Sequence, residues 1–294
     1  MNPTIPPTNR PNDLKIAFFG TPRFAQIVLE NLISSDFKPF LVVTAPDAKS
    51  GRGQMLTPPP VKQTAIGAGI RVTQPIPGLD PEIFSGSDPD LTILVAYGQI
   101  ITKEVLEISK LGFLNVHPSL LPKYRGPSPI QQAILDGEKT SGVTIIKLDE
   151  ELDHGPILGQ REIPIEANDT HLTLIEKLGA IGSNLLLELL PDYVSGKAKL
   201  SDQDHPKATL TKKITKEDGH IDFSNPPDAR TLDRMIRAYY PWPTVWGEIE
   251  VKSEKGKVQR VKLLPEKMVQ MEGKNPITIE MFAKLYPAIY IPII

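Results

Sequence analysis

Two short segments of the chain carry side chains of the types that catalyse group transfer, Asn115 with His117 and, further along, Asp153. Because side chains alternate along a strand, Asn115 and His117 are expected on the same face of the strand predicted over 113–116. An amide and an imidazole can donate hydrogen bonds to an oxygen that gains charge, and a carboxylate can orient the imidazole. The three residue types together favour transfer of an acyl or formyl group to an amine, which needs no covalent nucleophile.

A mostly parallel α/β sheet is the fold that the chain predicts around these residues. Short apolar runs alternate with helical patterns, which is typical of sheets whose strands are joined by helices. The predicted strands are 14–19, 40–43, 71–73, 91–97, 113–116 and 142–148, and the predicted helices are 24–33, 61–69, 102–109, 128–135 and 172–190, with a long loop over 46–60. Because ligands bind beyond the carboxyl ends of strands in such sheets, we expect His117 and Asp153 to meet at one rim.

Spacing alone leaves alternatives open at this rim. Asp149 follows the same predicted strand as Asp153, so either carboxylate could meet His117. A purely structural interpretation also stands, in which His117 is a hydrogen-bonded rim residue and Asp153 caps a turn before Gly155. A metal site of His117, Asp153 and His154 is disfavoured, because adjacent side chains usually point apart.

The composition is that of a globular protein. With 294 residues, 40% of them hydrophobic and 23% charged, the chain has room for two domains and is not mainly disordered. The cysteine count of 0 excludes disulfides, cysteine-bound metals and thiol nucleophiles, and fits a reducing compartment. No apolar run approaches the ~20 residues of a membrane span, and the polar, proline-rich segment 1–11 has no signal-peptide core. We therefore expect a cytoplasmic protein that does not bind membranes.

Several enzyme classes lack their signatures in this sequence. The first predicted strand is followed by Gly20-Thr21-Pro22, without the Gly-x-Gly-x-x-Gly of dinucleotide-binding enzymes. The sequence also contains no Walker A, His-Glu-x-x-His or Gly-x-Ser-x-Gly pattern. These absences argue against dinucleotide-dependent redox chemistry, P-loop chemistry, zinc peptidases and serine hydrolases.

The N-terminal and C-terminal parts of the chain differ in predicted secondary structure and in charge. Residues 1–195 carry a net charge of −6 and the remainder carries +4, within a total of −2. The positive part predicts a module that approaches a polyanion, with an ordinary solvated surface as the alternative. Few helices and several β segments after a polar stretch predict a small α+β or barrel domain there. We expect a flexible tail at 1–13, an α/β domain at 14–192, a linker at 193–209 and a C-terminal domain at 210–294.

The motif around the candidate site resembles a known family. The chain reads Asn-Val-His-Pro-Ser-Leu-Leu-Pro-Lys-Tyr-Arg-Gly at 115–126 and Leu-Asp-His-Gly at 152–155. This pairing is similar to the signature of the folate-dependent formyltransferases. Five further segments resemble the members of that family that act on tRNA, at 19–22, 51–53, 208–214, 221–223 and 237–243. The resemblance runs from about Leu14 to Pro287, which is nearly the whole chain.

The resemblance implies both a fold and a reaction. The fold would be a Rossmann-like catalytic domain followed by a C-terminal barrel of the oligonucleotide-binding (OB-like) type. The reaction would be transfer of formyl from 10-formyltetrahydrofolate to the amino group of methionine on initiator tRNA, by a monomer that uses no metal and no nicotinamide. Asn115 and His117 would donate to the developing oxyanion, and Asp153 would fix the imidazole and assist proton movement.

The resemblance also implies binding residues. Folate contacts fall on Ser119, Leu120, Leu121 and Pro122, and a pterin pocket falls on Leu94, Tyr97 and Gly98. Contacts with tRNA fall on Lys49 and Arg52 in the loop 47–60 and on Lys212 and Lys213 near the domain junction. The chain departs from the family after Gly-Arg-Gly, where it reads Gln54-Met55-Leu56 instead of a lysine-rich stretch.

Two other functions remain open from the sequence. One is a formyltransferase that acts on an amino sugar nucleotide, since such relatives also carry a C-terminal barrel-like module. The other is a noncatalytic RNA-binding protein with a degenerate α/β domain. The Gly-Arg-Gly loop and the positive C-terminal part favour tRNA over the sugar, and the intact set Asn115, His117 and Asp153 argues against a binding module.

Overall fold

A computed structural model describes residues 14–50, 53–75, 79–84, 86–250 and 258–292. The N-terminal part contains the strands β1 (Ile16–Gly20), β2 (Leu41–Val43), β3 (Ala48–Ser50), β4 (Met55–Thr57), β5 (Arg71–Thr73), β6 (Leu91–Val95), β7 (Phe113–His117), β8 (Thr140–Lys147) and β9 (Ile157–Pro164). Its helices are α1 (Arg23–Ile33), α2 (Pro60–Gly67), α3 (Lys103–Leu106), α4 (Pro129–Asp136) and α5 (His171–Val194).

Seven of these strands form one sheet in the order β5-β2-β1-β6-β7-β8-β9. The first five are parallel, because each strand is followed by a crossover connection, and β8 runs antiparallel to β7. The prediction of a mostly parallel α/β sheet is therefore confirmed. The chain leaves β1 toward β2 and β5 and then returns to β6 and β7 on the other side. This reversal of strand order between β1 and β6 is where ligands bind in such sheets.

The two faces of the sheet are covered differently. On one face, Val116 of β7 lies against Gly182 of α5, so that a larger side chain at Gly182 would collide with it. Asn115 and His117 alternate with Val116 and therefore point to the opposite face. That face carries an aromatic core in which the ring of Phe19 lies 5.2 Å from Tyr97 and 5.7 Å from Phe113.

The chain forms two compact units. The first comprises residues up to 127 together with 142–163 and 175–210, and it contains the large sheet. The second comprises 128–141, 164–174 and the residues from 211 onward. Its elements are α6 (Ala229–Ala238), β10 (Val245–Glu250), β11 (Val258–Leu264), β12 (Met268–Met271), β13 (Ile277–Thr278) and α7 (Ile279–Leu285), together with α4, which packs against α6. The strands β10 to β13 form an antiparallel sheet in chain order, as expected of a small β domain at the C-terminus.

Some local predictions are wrong. The long loop expected over 46–60 contains an antiparallel hairpin of β3 and β4. The elements β9, β12 and α7 were not predicted from the sequence. The assignment of 193–209 as a linker stays a prediction; within it, Ser201 forms a bridge with Ile157, and His205–Lys207 form a 3-10 turn. Among the described residues, no helix is both long and apolar enough to cross a membrane.

Candidate active site

Asn115, His117 and Asp153 converge on the sheet face opposite α5. The Asn115 amide Nδ2 donates to Asp153 Oδ1 at 3.0 Å, and His117 Nδ1 lies 3.6 Å from the same oxygen. The three residues are 5%, 4% and 9% exposed, so the set is shielded from bulk water. Electrostatic interactions in such a place are stronger than at the surface.

The orientation of the His117 imidazole comes from a backbone carbonyl. His117 Nε2 lies 2.9 Å from the carbonyl oxygen of Tyr124. Because a carbonyl only accepts hydrogen bonds, the proton of the neutral ring is on Nε2 and Nδ1 is turned toward Asp153. The resemblance implied that Asp153 fixes the imidazole, whereas the structure shows Tyr124 holding one nitrogen and Asp153 facing the other.

Asp153 is held in an unusual conformation. Its φ of 48° lies in the left-handed region, which costs free energy for a residue with a side chain. The carboxylate accepts one hydrogen bond from Asn115 and a second from the Gly126 backbone N–H at 2.8 Å. The Asn115 amide has two hydrogens, so one can serve Asp153 while the other serves an oxygen in front of the strand.

The route by which Asp153 reaches His117 differs from the expected one. We expected both residues at one rim because each follows a predicted strand, and that reason is wrong because β8 is antiparallel to β7. The loop after β8 instead folds back along its own strand. Gly155 makes this return possible, since a Cβ there would collide with the Lys147 carbonyl oxygen.

The structure separates the two candidate carboxylates. Asp149 Oδ2 lies 2.7 Å from His154 Nδ1, and both side chains are partly exposed. Asp153 alone of the two contacts Asn115 and His117. Among the residues that the structure describes, no group of three His, Asp or Glu side chains is placed to hold a metal ion.

The segment 119–122, which the resemblance assigns to folate, is anchored by two side chains that sequence reasoning missed. The fully buried Thr144 hydroxyl donates to the Ser119 carbonyl at 2.7 Å and accepts from the Leu121 N–H at 3.0 Å. Gln160 Nε2 donates to Thr144 Oγ1 and to the Leu121 carbonyl, at 2.9 and 2.7 Å. These bonds fix the backbone of the segment that contains Leu120 and Pro122.

The residues expected to line a pterin pocket have different environments. Leu94 is partly buried and pairs in register with Asn115, so it lies beside the candidate catalytic set. Gly98 adopts a φ of 84° just beyond the end of β6, at the reversal of strand order. Tyr97 is 3% exposed within the aromatic core, and burial raises the pKa of its hydroxyl to about 12. Among the described residues, the Tyr97 hydroxyl has no hydrogen-bond partner.

Three residues that sequence reasoning did not single out, the buried Gln203 and Arg125 and the exposed His205, form a polar network behind Asp153. Gln203 donates to the carbonyls of Asp153 and Gly155, at 2.9 and 2.8 Å. Arg125 donates to Gln203 Oε1 and to His205 Nδ1, both at 2.8 Å. Arg125 stands within the quoted motif, but no spacing rule links it to a glutamine 78 residues away.

Of the residues expected to contact tRNA, those that the structure describes lie at the surface. Lys49 is exposed on β3, opposite Leu56 of β4, and Arg52 lies outside the described residues. Lys213 is exposed, whereas Lys212 forms an ion pair with Asp218 at 2.6 Å. Hydrogen bonds from Lys212 and Thr215 lower the pKa of Asp218 to about 2, so this carboxylate stays charged at neutral pH.

The fold is shared with solved formyltransferases. An N-formyltransferase from Helicobacter canadensis, solved with folinic acid and dTDP-3-aminofucose, superposes with a TM-score of 0.62 at 20% identity, over 87% of this chain and 94% of that one. A 4-N formyltransferase from Francisella tularensis superposes with a TM-score of 0.66 at 18% identity, over 87% and 99% of the two chains. At these identities the likeness shows the fold alone.

Sequence comparison narrows the assignment. The formyl transferase family model matches residues 14–190, and the model of the formyl transferase C-terminal domain matches 213–276. Fold, site and matches together define a two-domain formyltransferase. Methionyl-tRNA formyltransferases of Chloroflexus aggregans and Methylococcus capsulatus are 45% and 40% identical to this chain, over 79% and 81% of it and over 76% and 77% of their own lengths. The chain belongs to the methionyl-tRNA formyltransferase family.

Proposed function

We propose that this enzyme transfers the formyl group of 10-formyltetrahydrofolate to the free amino group of methionine on initiator tRNA, which prepares that tRNA for translation initiation. The observation that carries the chemistry is the buried convergence of Asn115, His117 and Asp153 on one sheet face. The acceptor follows from the relatives named above. We further propose that the enzyme acts in the cytoplasm as a monomer and without a metal.

Asn115 and His117 stabilise the oxygen that gains charge when the amine attacks the formyl carbon. The first amide hydrogen of Asn115 is donated to Asp153, which leaves the second to be donated to this oxygen. A protonated His117 adds a second donor at Nδ1, since Nε2 is held by the Tyr124 carbonyl. Donors that are already oriented stabilise developing charge at little reorganisation cost.

Asp153 has two roles, which are to stabilise a positively charged imidazole and to move the proton of the attacking amine. Its carboxylate lies 3.6 Å from His117 Nδ1, close enough to stabilise an imidazolium. The attacking amine must lose a proton, and N10 of tetrahydrofolate must gain one when its bond to the formyl carbon breaks. A carboxylate beside the reacting centre can accept the proton from the amine and pass it to the departing N10. The hydrogen bonds from Asn115 and Gly126 hold the carboxylate in place for both roles.

The folate co-substrate supplies a formyl group bound to nitrogen, and the chain offers a fitting place for its ring. The segment 119–122 is fixed by Thr144 and Gln160 beside the catalytic set. Leu94 gives an apolar surface next to Asn115, and the Tyr97 hydroxyl, unpartnered among the described residues, suits a ring with several polar edges. We therefore propose Ser119, Leu120, Leu121, Pro122, Leu94, Tyr97 and Gly98 as the folate-binding residues.

Contacts with tRNA are proposed for four basic residues, Lys49, Arg52, Lys212 and Lys213. The exposed positions of Lys49 and Lys213 suit contact with phosphate. Lys212 would have to exchange Asp218 for a phosphate, so its net contribution is expected to be smaller. Each phosphate contact that is removed should lower the salt dependence of tRNA binding by about one unit of slope.

The experiment that tests this function compares acceptors. The purified enzyme is supplied with 10-formyltetrahydrofolate and either methionyl-initiator tRNA or an amino sugar nucleotide, and formylated product is measured. We expect product only with the tRNA. Formylation of the sugar nucleotide without formylation of the tRNA would replace this function by the sugar-directed one, and no formylation of either acceptor would reject a formyltransferase.

A further inference from the structure

Gln203 is a buried polar side chain near the candidate site whose hydrogen-bonding capacity is fully used. It is 5% exposed, and its amide nitrogen donates to the carbonyls of Asp153 and Gly155. Its amide oxygen accepts from Arg125 Nε at 3.2 Å and from Arg125 Nη2 at 2.8 Å. All four hydrogen-bonding positions of a primary amide are therefore used.

The orientation of the Gln203 amide is set by its partners. A guanidinium only donates and a backbone carbonyl only accepts, so the amide oxygen must face Arg125 and the amide nitrogen must face the loop. Arg125 is itself 7% exposed, and its Nη2 also donates to His205 Nδ1. The His205 ring stacks on that of His154 with centroids 4.0 Å apart, which adds a second contact between this segment and the loop of Asp153.

The loop that Gln203 binds is under conformational strain. Asp153 has a φ of 48°, and such a conformation persists only where the surroundings hold it. The two carbonyls that Gln203 binds lie on the strained residue itself and two residues beyond it. The carboxylate bonds from Asn115 and Gly126 act on the side chain, whereas Gln203 acts on the backbone.

We infer that Gln203, oriented by Arg125, is a positioning residue that holds the backbone of Asp153 in the conformation from which its carboxylate reaches Asn115 and His117. The inference rests on the catalytic role proposed for Asp153. It places an element of the active site in the segment 193–209, outside the residues that match the N-terminal family model. Without this clamp, the loop relaxes and the carboxylate moves away from the reacting centre.

The test uses Gln203→Met, which keeps the size of the side chain and removes all four hydrogen bonds. Gln203→Glu is the second variant, because it still accepts from Arg125 but cannot donate to the two carbonyls when ionised. Gln132→Met is the matched control, since Gln132 also makes a side-chain hydrogen bond, to Asp136 on α4, and has no bond to the candidate catalytic residues among those described. Single-turnover formyl transfer to methionyl-initiator tRNA, KM for both substrates and thermal unfolding are measured for each.

We expect the formyl-transfer rate of Gln203→Met and Gln203→Glu to fall about 10- to 100-fold, because misplacement of a catalytic group by ~1 Å costs up to this much. KM for both substrates should stay within about threefold, since the binding residues are not touched. Gln132→Met should retain the wild-type rate. A wild-type rate in both Gln203 variants, or loss of folding in both, would overturn the inference and leave Gln203 a structural residue at most.

A double-mutant cycle separates positioning from general stability. In an Asp153→Asn background there is no carboxylate to position, so adding Gln203→Met should lower the residual rate less than about twofold. An equal loss in both backgrounds means that Gln203 does not act through Asp153. A wild-type rate in Asp153→Asn alone would instead reject the catalytic role of Asp153, so failure of the proposed function and failure of this inference give different results.

Discussion

Individual residues at the site each hold one of two catalytic groups, the His117 imidazole or the Asp153 carboxylate. The Tyr124 carbonyl orients His117 through Nε2, and the amides of Asn115 and Gly126 orient Asp153. Because these partners are backbone groups or a strand residue, the geometry is built before substrate arrives. Preorganisation of this kind is the largest single contribution to many enzymatic rate enhancements.

A second histidine shows the cost of burying such a ring without catalytic use. His171 begins α5, and burial lowers the pKa of its imidazole to about 4, against a weaker opposing effect of a hydrogen bond to the Tyr240 backbone. Its Nδ1 has no hydrogen-bond partner among the described residues. The folded protein therefore holds His171 neutral at a pH where the unfolded chain protonates it.

This difference predicts a pH dependence of stability. Because the unfolded state binds the extra proton, the free energy of unfolding should fall as pH drops below ~6.5 and level off near pH 4, by up to about 3 kcal/mol for this group. Urea unfolding at several pH values measures it, and His171→Phe should remove this part of the slope. Identical pH dependence in the wild type and the variant would contradict the assignment.

At the scale of secondary structure, the segment after β7 is shaped by the neighbouring antiparallel strands. Thr144 of β8 lies opposite His117 in register, and Gln160 of β9 reaches the same hydroxyl. The pairing of β7 with β8 thus fixes the segment 119–122 at the same time as it supports the histidine.

Removal of the Thr144 hydroxyl tests that coupling. Thr144→Val leaves the Leu121 N–H without its buried acceptor, which should destabilise the protein by about 1–3 kcal/mol. We also expect KM for 10-formyltetrahydrofolate to rise about 10-fold, with a smaller change in kcat. Steady-state kinetics and urea unfolding measure the two effects. Thr144→Ser, which keeps the hydroxyl, should resemble the wild type, and an unchanged KM in Thr144→Val would show that the segment does not bind folate.

Much of this framework could be predicted from the sequence, and the exceptions have physical causes. Apolar runs identified β1, β2, β6 and β7, because parallel strands buried on both faces need continuous hydrophobic residues. The direction of β8 could not be inferred, since a buried strand has the same apolar pattern in either direction. The β3–β4 hairpin was missed because β4 is exposed along its whole length and carries no alternation.

The candidate site was predictable in its parts but not in its supports. Asn115, His117 and Asp153 stand in recognisable motifs, and the structure brings them together. Thr144 and Gln203 act through bonds to backbone groups distant in sequence, and such partners leave no local pattern. The path of the loop that contains Gly155 is what brings the Asp153 backbone to Gln203.

At the scale of the whole molecule, the two compact units are not two consecutive stretches of the chain. Residues 128–141, which contain α4, belong to the unit that contains α6 and the antiparallel sheet. On α4, Ile130 and Ile134 are 4% and 1% exposed, and α6 packs against this helix. A fragment that ends at the predicted linker therefore keeps α4 but lacks α6, the helix that packs against it.

A fragment of residues 1–210 tests this arrangement. Without α6, part of the apolar face of α4 becomes exposed, at a cost of up to about 1.5–3 kcal/mol for each isoleucine. We expect the fragment to unfold at a lower temperature than the full chain and to bind a hydrophobic dye. A fragment that melts cooperatively at the wild-type temperature without dye binding would contradict this expectation.

The most direct test of the central claim is the single-turnover rate of formyl transfer to methionyl-initiator tRNA in Asn115→Ala and in His117→Ala. If these side chains stabilise the charge that develops on the formyl oxygen, each variant should fold normally and lose roughly 100- to 1000-fold in rate. Wild-type rates in either variant would contradict the role given to that side chain.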